Sequence, residues 1–252
     1  MKQLFFTLTF VAILLLTSCQ FSENIYMQED GSGKMTFSMD ASELMKMAGD
    51  EMSKDGEKSI DSILYFKDFL EAKKDSISKL SQEEQEKLKN LEAFGMHMVM
   101  DSKEQTMKFD LFSDFNSISE LDDLFKAMNN VSNFQGEGGV DTKDTSNPFS
   151  AMANANGSEL TYSLKGNLFK RETVMKDQEV YKTLVDSMGD LTPILASSTY
   201  KLNYHFPRKI KSASHEDALF SEDKKTMTLE LNFMDYLKNP ELLNVEVELE
   251  DE

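Results

Sequence analysis

Short segments in which apolar residues recur at every second position run through the chain, and most of them are followed by a stretch with helical spacing. Alternation sends successive side chains to opposite faces, so each segment reads as a half-buried strand. Met35, Phe37 and Met39 share one face, and Lys34, Thr36 and Ser38 the other. The Asp30-Gly31-Ser32-Gly33 cluster before them is a turn, so Ile25 to Met27 pairs back as a hairpin. Leu44, Met45, Met47, Ala48 and Met52 then form the apolar side of a helix over 41–52.

The arrangement recurs. Met96, Met98 and Met100 lead through a polar turn to Met107, Phe109 and Leu111. Ser117 and Glu120 have capping-box spacing, and Ile118, Leu121, Leu124, Phe125 and Met128 make the stripe of a helix over 117–130. A third copy has Leu160, Tyr162 and Leu164, a Gly166-Asn167 turn, a strand from Leu168 to Thr173 and a helix over 176–188. In the fourth, Tyr200, Leu202, Tyr204 and Phe206 alternate up to Pro207, which has no N–H to continue a ladder. Met227, Leu229, Leu231 and Phe233 follow, then a short helix near Tyr236 and a last strand through Val245, Val247 and Leu249.

This pattern predicts an α+β domain over 25–252. Its antiparallel sheet is built from repeated β-hairpin–helix units, with the helices packed on one face. A helical insert is expected at about 56–93, with Ile60, Ile63, Leu64, Leu70 and Ile77 as apolar positions and a capping box at Ser81 and Glu84. Residues 132–157, rich in Gly, Ser, Asn and Asp without periodicity, read as a disordered loop.

The N-terminus has a different grammar. Lys2 precedes the apolar run Leu4 to Leu16, thirteen residues long. In a helix that run rises about 20 Å, short of a hydrocarbon core of roughly 30 Å. A charged start, a short apolar core and the small-residue exit Thr17-Ser18 make residues 1–18 a signal peptide. Leu16-Thr17-Ser18-Cys19 resembles the bacterial lipobox, in which the Cys is acylated and becomes the new N-terminus. The resemblance implies lipidation of Cys19, with residues 19–24 as a lipidated tether. In the Gram-negative pattern this resembles, Asp after the Cys favours retention in the inner membrane, whereas Gln20 permits export to the outer one. An ordinary signal peptide or an uncleaved anchor, with a chance Cys, is the alternative.

Acids outnumber bases 45 to 27 and the formal charge is −18. Only Arg171 and Arg208 are arginines, a poor basis for nucleic-acid recognition. Cys19 is the single Cys, which excludes an internal disulfide framework and a Cys-based zinc knuckle. Met96-His97-Met98-Val99-Met100 is the sharpest metal candidate, since thioethers suit Cu(I). Alternation groups the three Met in a core and turns His97 away from them, so core packing explains the motif better. His205 should face outward with Lys201 and Asn203, and His215 sits in a turn beside Glu216 and Asp217. Asp141 and Asp144 are a weak calcium candidate, without the ligand spacing of a calcium loop. With no HExxH, nucleophile elbow or phosphate loop, neither an enzyme nor a cofactor is expected.

Two further stretches carry a family likeness. Ile25-Tyr26-Met27-Gln28-Glu29-Asp30-Gly31-Ser32-Gly33-Lys34-Met35 is a strand entering a Gly-containing turn just after the anchor. Tyr204-His205-Phe206-Pro207-Arg208-Lys209-Ile210 is a strand closing on an aromatic-Pro step. Together they are similar to lipobox-containing bacterial envelope lipoproteins and to the LppM-type lipoprotein domain, for which lipid or glycolipid binding has been proposed. The long acidic helical insert departs from a minimal domain of that type. The resulting expectation is a membrane-tethered, non-catalytic binding or interaction module whose partner is another envelope component. The alternative is a carrier of an acyl chain or other apolar molecule in a cleft between sheet and helices.

Overall fold

In the computed structural model, which describes residues 19–48, 59–131, 157–189 and 192–251, the alternating segments become strands, except that Phe233, expected at the end of one, opens a helix. β1 (Gln20–Met27) and β2 (Gly33–Asp40) form the first hairpin. Gly31 at its tip has φ +82°, a conformation that suits glycine because it lacks a Cβ. Asp30 accepts from the Ser32 backbone N–H at 3.0 Å and from its hydroxyl at 2.6 Å, which fixes the turn and lowers the Asp30 carboxyl pKa. β4 (Phe94–Asp101) pairs with β5 (Thr106–Phe115), and β6 (Ser158–Lys165) with β7 (Leu168–Met175). The expected Gly166-Asn167 turn joins the second of these pairs, with Gly166 at φ +63°.

The hairpins divide between two sheets. The first has eight strands in the order β10-β11-β8-β1-β2-β5-β4-β3, adding β3 (Ser59–Tyr65), β8 (Thr199–His205), β10 (Leu219–Phe220) and β11 (Thr226–Asn232). The second has four, β6-β7-β12-β9, with β9 (Ile210–Ala213) and β12 (Val245–Leu249). All pairings are antiparallel except β1 with β8, which run parallel. Pro207 does what its missing N–H dictates: β8 ends at His205, and the chain leaves the first sheet to enter the second as β9.

The helices among the described residues are α1 (Ser42–Ala48), α2 (Phe66–Ala72), α3 (Lys74–Ile77), α4 (Gln82–Lys89), α5 (Glu120–Val131), α6 (Gln178–Ser187), α7 (Thr192–Ala196) and α8 (Phe233–Lys238), with a 3-10 turn at Pro240–Leu243. Ser81 and Glu84 form the expected capping box on α4. At α5 the reciprocal bond shifts by one residue: Glu120 accepts from the Asn116 backbone N–H at 2.9 Å, while the Ser117 hydroxyl pairs with Ser119.

The inward phase of each strand is the core. Phe21, Ile25, Met35, Phe37, Tyr200, Leu202, Tyr204, Met227 and Leu229 of the first sheet are each 2% exposed or less. They face Phe169, Val245 and Val247 of the second sheet together with Leu121 of α5 and Phe233 of α8. Each such aliphatic or aromatic side chain contributes about 1.5–3 kcal/mol by leaving water.

Three expectations are corrected. Residues 20–24 are not a tether: they are the first half of β1, paired with β2 on one side and β8 on the other. Their alternation is hidden because Glu23 occupies an inward position. The insert at 56–93 is not wholly helical. Ile60 and Ile63, spaced as if on a helix, belong to β3, where β-branched residues pair well with β4. Helices alone do not cover the apolar sheet face, because the second sheet shares that role. The loop expected at 132–157 lies outside the described residues apart from Gly157, as do Met52, Asp141 and Asp144.

Candidate functional site

The densest polar chemistry lies between the two sheets. Glu23 of β1 is fully buried, and four donors converge on its carboxylate. Oε1 accepts from the Tyr162 hydroxyl at 2.5 Å and from the Tyr204 hydroxyl. Oε2 accepts from the Tyr200 hydroxyl at 3.3 Å and from Arg171 Nη2 at 3.4 Å. Arg171 Nη1 in turn donates to Thr173 Oγ1 at 3.1 Å and to the Leu243 carbonyl at 3.2 Å, while its Nε has no protein partner. β1 and β8 of the first sheet thus supply the acceptor and two hydroxyls; β6 and β7 of the second supply the third hydroxyl and the guanidinium.

Burial sets the electrostatics here. Desolvation, reinforced by the Glu23 charge, pushes the Tyr162, Tyr200 and Tyr204 hydroxyls well above their ordinary pKa, so all three remain donors. Burial is the largest single influence on Arg171 and works against its charge, but the Glu23 carboxylate and the Tyr162, Tyr204 and Tyr200 oxygens together outweigh it and hold the guanidinium pKa well above its already high value. Each carboxylate oxygen receives two donors. None of the five side chains is more than 3% exposed, so the cluster is closed to a substrate. What it can do is lock one sheet to the other in a single register.

The sequence held a signal for this cluster that hydrophobic patterning passes over. Glu23 falls in the inward phase of Phe21-x-Glu23-x-Ile25, and Arg171 in that of Phe169-x-Arg171-x-Thr173. A charge of each sign at a core position asks for a partner of the other sign.

Four residues before Glu23 sits Cys19. It is 1% exposed, its carbonyl accepts from the Thr199 backbone N–H at 3.2 Å, and its thiol lies beside the Leu44 backbone and the Ser198 side chain. Burial pushes the thiol pKa up, against the hydrogen bonds from those two neighbours.

The opposite face of the first sheet is polar and half-exposed. Thr228 donates to Asn203 Oδ1 at 3.1 Å, Asn203 to Asn24 Oδ1 at 3.0 Å, and Asn24 to Ser22 Oγ at 3.1 Å. Tyr26 stacks on His205 with ring centroids 4.0 Å apart, and Lys34 lies 5.0 Å from the Phe112 ring centre. His205 faces outward with Lys201 and Asn203 as expected, and partial burial lowers its pKa.

The other candidates separate. Met96 packs against the core, while His97 turns to the open face, 2.8 Å from Asp61 and 3.8 Å from Asp110. His215 sits beside Asp217 at 4.0 Å. No group of three or more His, Cys, Asp or Glu suited to a metal ion occurs among the described residues. Phe169 packs edge-on against Tyr204 and Phe206, at 5.4 and 5.3 Å, in the core between the two sheets. A cleft of about 580 Å³ opens instead between α2–α3 and α4, with Leu70, Ile77 and Leu88 at its base and Lys and Glu at its rim. Among the described residues no helix is long and apolar enough to cross a membrane.

No family model matches the chain, and no curated protein matches it. A solved structure, the folded domain of the LppM protein of Mycobacterium tuberculosis, is similar at 10% identity and a TM-score of 0.39, over 92% of this chain and 91% of that one. The likeness is faint, and no functional residue is carried across it.

Proposed function

We propose that the protein is a bacterial envelope lipoprotein, anchored by acyl chains on Cys19 and exported to the outer membrane, that acts without catalysis as an interaction module for another envelope component. The observation that carries this reading is Leu16-Thr17-Ser18-Cys19: the only Cys of the chain stands at the end of a short apolar run and one residue before the first strand. Several acyl chains on one residue make a stable anchor, since each buried methylene contributes about 0.8 kcal/mol. The non-catalytic part rests on the main polar cluster, whose five members are shut away from solvent and converge on the Glu23 carboxylate. A net charge of −18 favours a partner other than nucleic acid.

The test is membrane fractionation. Wild-type protein should resist carbonate extraction, and Cys19→Ala protein should appear in the soluble fraction. Equal retention of the two would overturn the anchor.

A further inference from the structure

We infer that the domain seats directly on the bilayer by the rim around Cys19, in one orientation, rather than hanging from a tether. The inference rests on the acylation proposed above. Acyl chains hold residue 19 at the headgroup level, and the free chain between that residue and the fold has no length. The Cys19 carbonyl is already bonded to Thr199, and Gln20 pairs with both Asp40 and Thr199. An extended tether would add about 3.3–3.6 Å of reach per residue, and none is present to add it.

The rim is defined by what surrounds Cys19. The β2–α1 turn is pinned by Asp40 accepting from the Ser42 backbone N–H at 3.1 Å and by Ser42 accepting from the Met107 backbone N–H at 3.1 Å. The thiol contacts the Leu44 backbone of α1 and the Ser198 side chain, which follows α7, so a glyceryl group on the sulfur displaces these contacts and brings both elements to the lipid. The charges here are paired among themselves: Lys46 with Glu43 at 2.6 Å, and Lys108 with Asp40 at 3.7 Å. Among the described residues these pairs leave no free basic cluster at the rim, so the attachment point sets the orientation. β1 then runs away from the membrane, and the tip at Gln28–Ser32 stands about 25 Å from the Cys19 end. Because β1 is paired on both edges, a pull on the anchor is shared by two ladders.

Acylation blocks the one native thiol, so an introduced Cys can be labelled alone. Acylated full-length Lys46→Cys and Ala196→Cys proteins report on the rim, and Glu29→Cys on the tip. Each carries a fluorophore and is placed in phosphatidylethanolamine/phosphatidylglycerol vesicles containing headgroup-nitroxide lipid. The rim probes should lose most of their fluorescence and the tip probe little, whatever the phosphatidylglycerol content. A flexible Gly/Ser segment inserted between Cys19 and Gln20 should abolish the difference while leaving the protein membrane-bound. Equal quenching at rim and tip without the insertion, or a difference that survives it, would overturn the orientation. Continued membrane binding of the same probes in a Cys19→Ala background would instead overturn the anchor itself.

Discussion

Glu23 and Asn24 are neighbours on β1 and face opposite ways, each into an array of side-chain hydrogen bonds. Inside, a carboxylate is saturated by three tyrosines and an arginine with no access to water. Outside, Asn24, Asn203, Thr228 and Ser22 form a row that shares its bonding capacity with solvent. The same strand geometry builds both, but burial changes what each bond is worth. A buried charge left without its partner keeps its full desolvation cost, whereas an exposed amide that loses a partner turns to water.

The largest effect should come from breaking the inner array. Glu23→Gln leaves the Arg171 guanidinium uncompensated and should lower stability by about 3–5 kcal/mol, read from the urea midpoint of the soluble Cys19→Ala protein. Arg171→Met should cost a similar amount. The pair together should cost less than the two single changes added, with a coupling of about 1–3 kcal/mol. Additive losses would mean that the inner array is not one unit.

Alkali should separate the two arrays next. Tyr162, Tyr200 and Tyr204 have raised pKa values in the fold, and burial moves Tyr236 up to about 12. Above the unfolded value near 10 the unfolded chain releases these protons first, so their contribution is complete below pH 10 and lost as pH rises towards the folded values. The slope is about 1.4 kcal/mol per pH unit for each tyrosine. Phenolate absorbance from these four tyrosines should therefore appear together with unfolding. Titration of all the tyrosines near pH 10 with the fold intact would contradict the closed cluster.

The smallest effect belongs to the outer row. Asn203→Ala removes two half-buried hydrogen bonds that solvent can partly replace and should cost about 1 kcal/mol. A loss as large as that of Glu23→Gln would erase the distinction between the faces.

Local features of the fold were legible in the sequence because they depend on neighbouring residues. Alternation marked the strands, Gly166-Asn167 a turn, Ser81 and Glu84 a cap, and Pro207 the end of β8. The inner array was not legible, because Tyr162 and Tyr204 lie 139 and 181 residues from Glu23 and the division into two sheets decides whether they meet. The start of β1 was obscured for a related reason: a charged residue in the inward phase reads as polar until its partner is known. Ile60 and Ile63 fit a helix and a strand equally well until β4 supplies an edge to pair with. Cys19 stood out as a candidate from its position alone, whereas its burial beside Leu44 and Ser198 depended on residues far along the chain.

The most direct test of the account is the mass of the N-terminal peptide of protein extracted from native membranes. The expected peptide begins at Cys19 and carries acyl chains, with no residue of 1–18 remaining. A peptide that retains Leu16-Thr17-Ser18, or one that begins at or before Cys19 with an unmodified thiol, would contradict it.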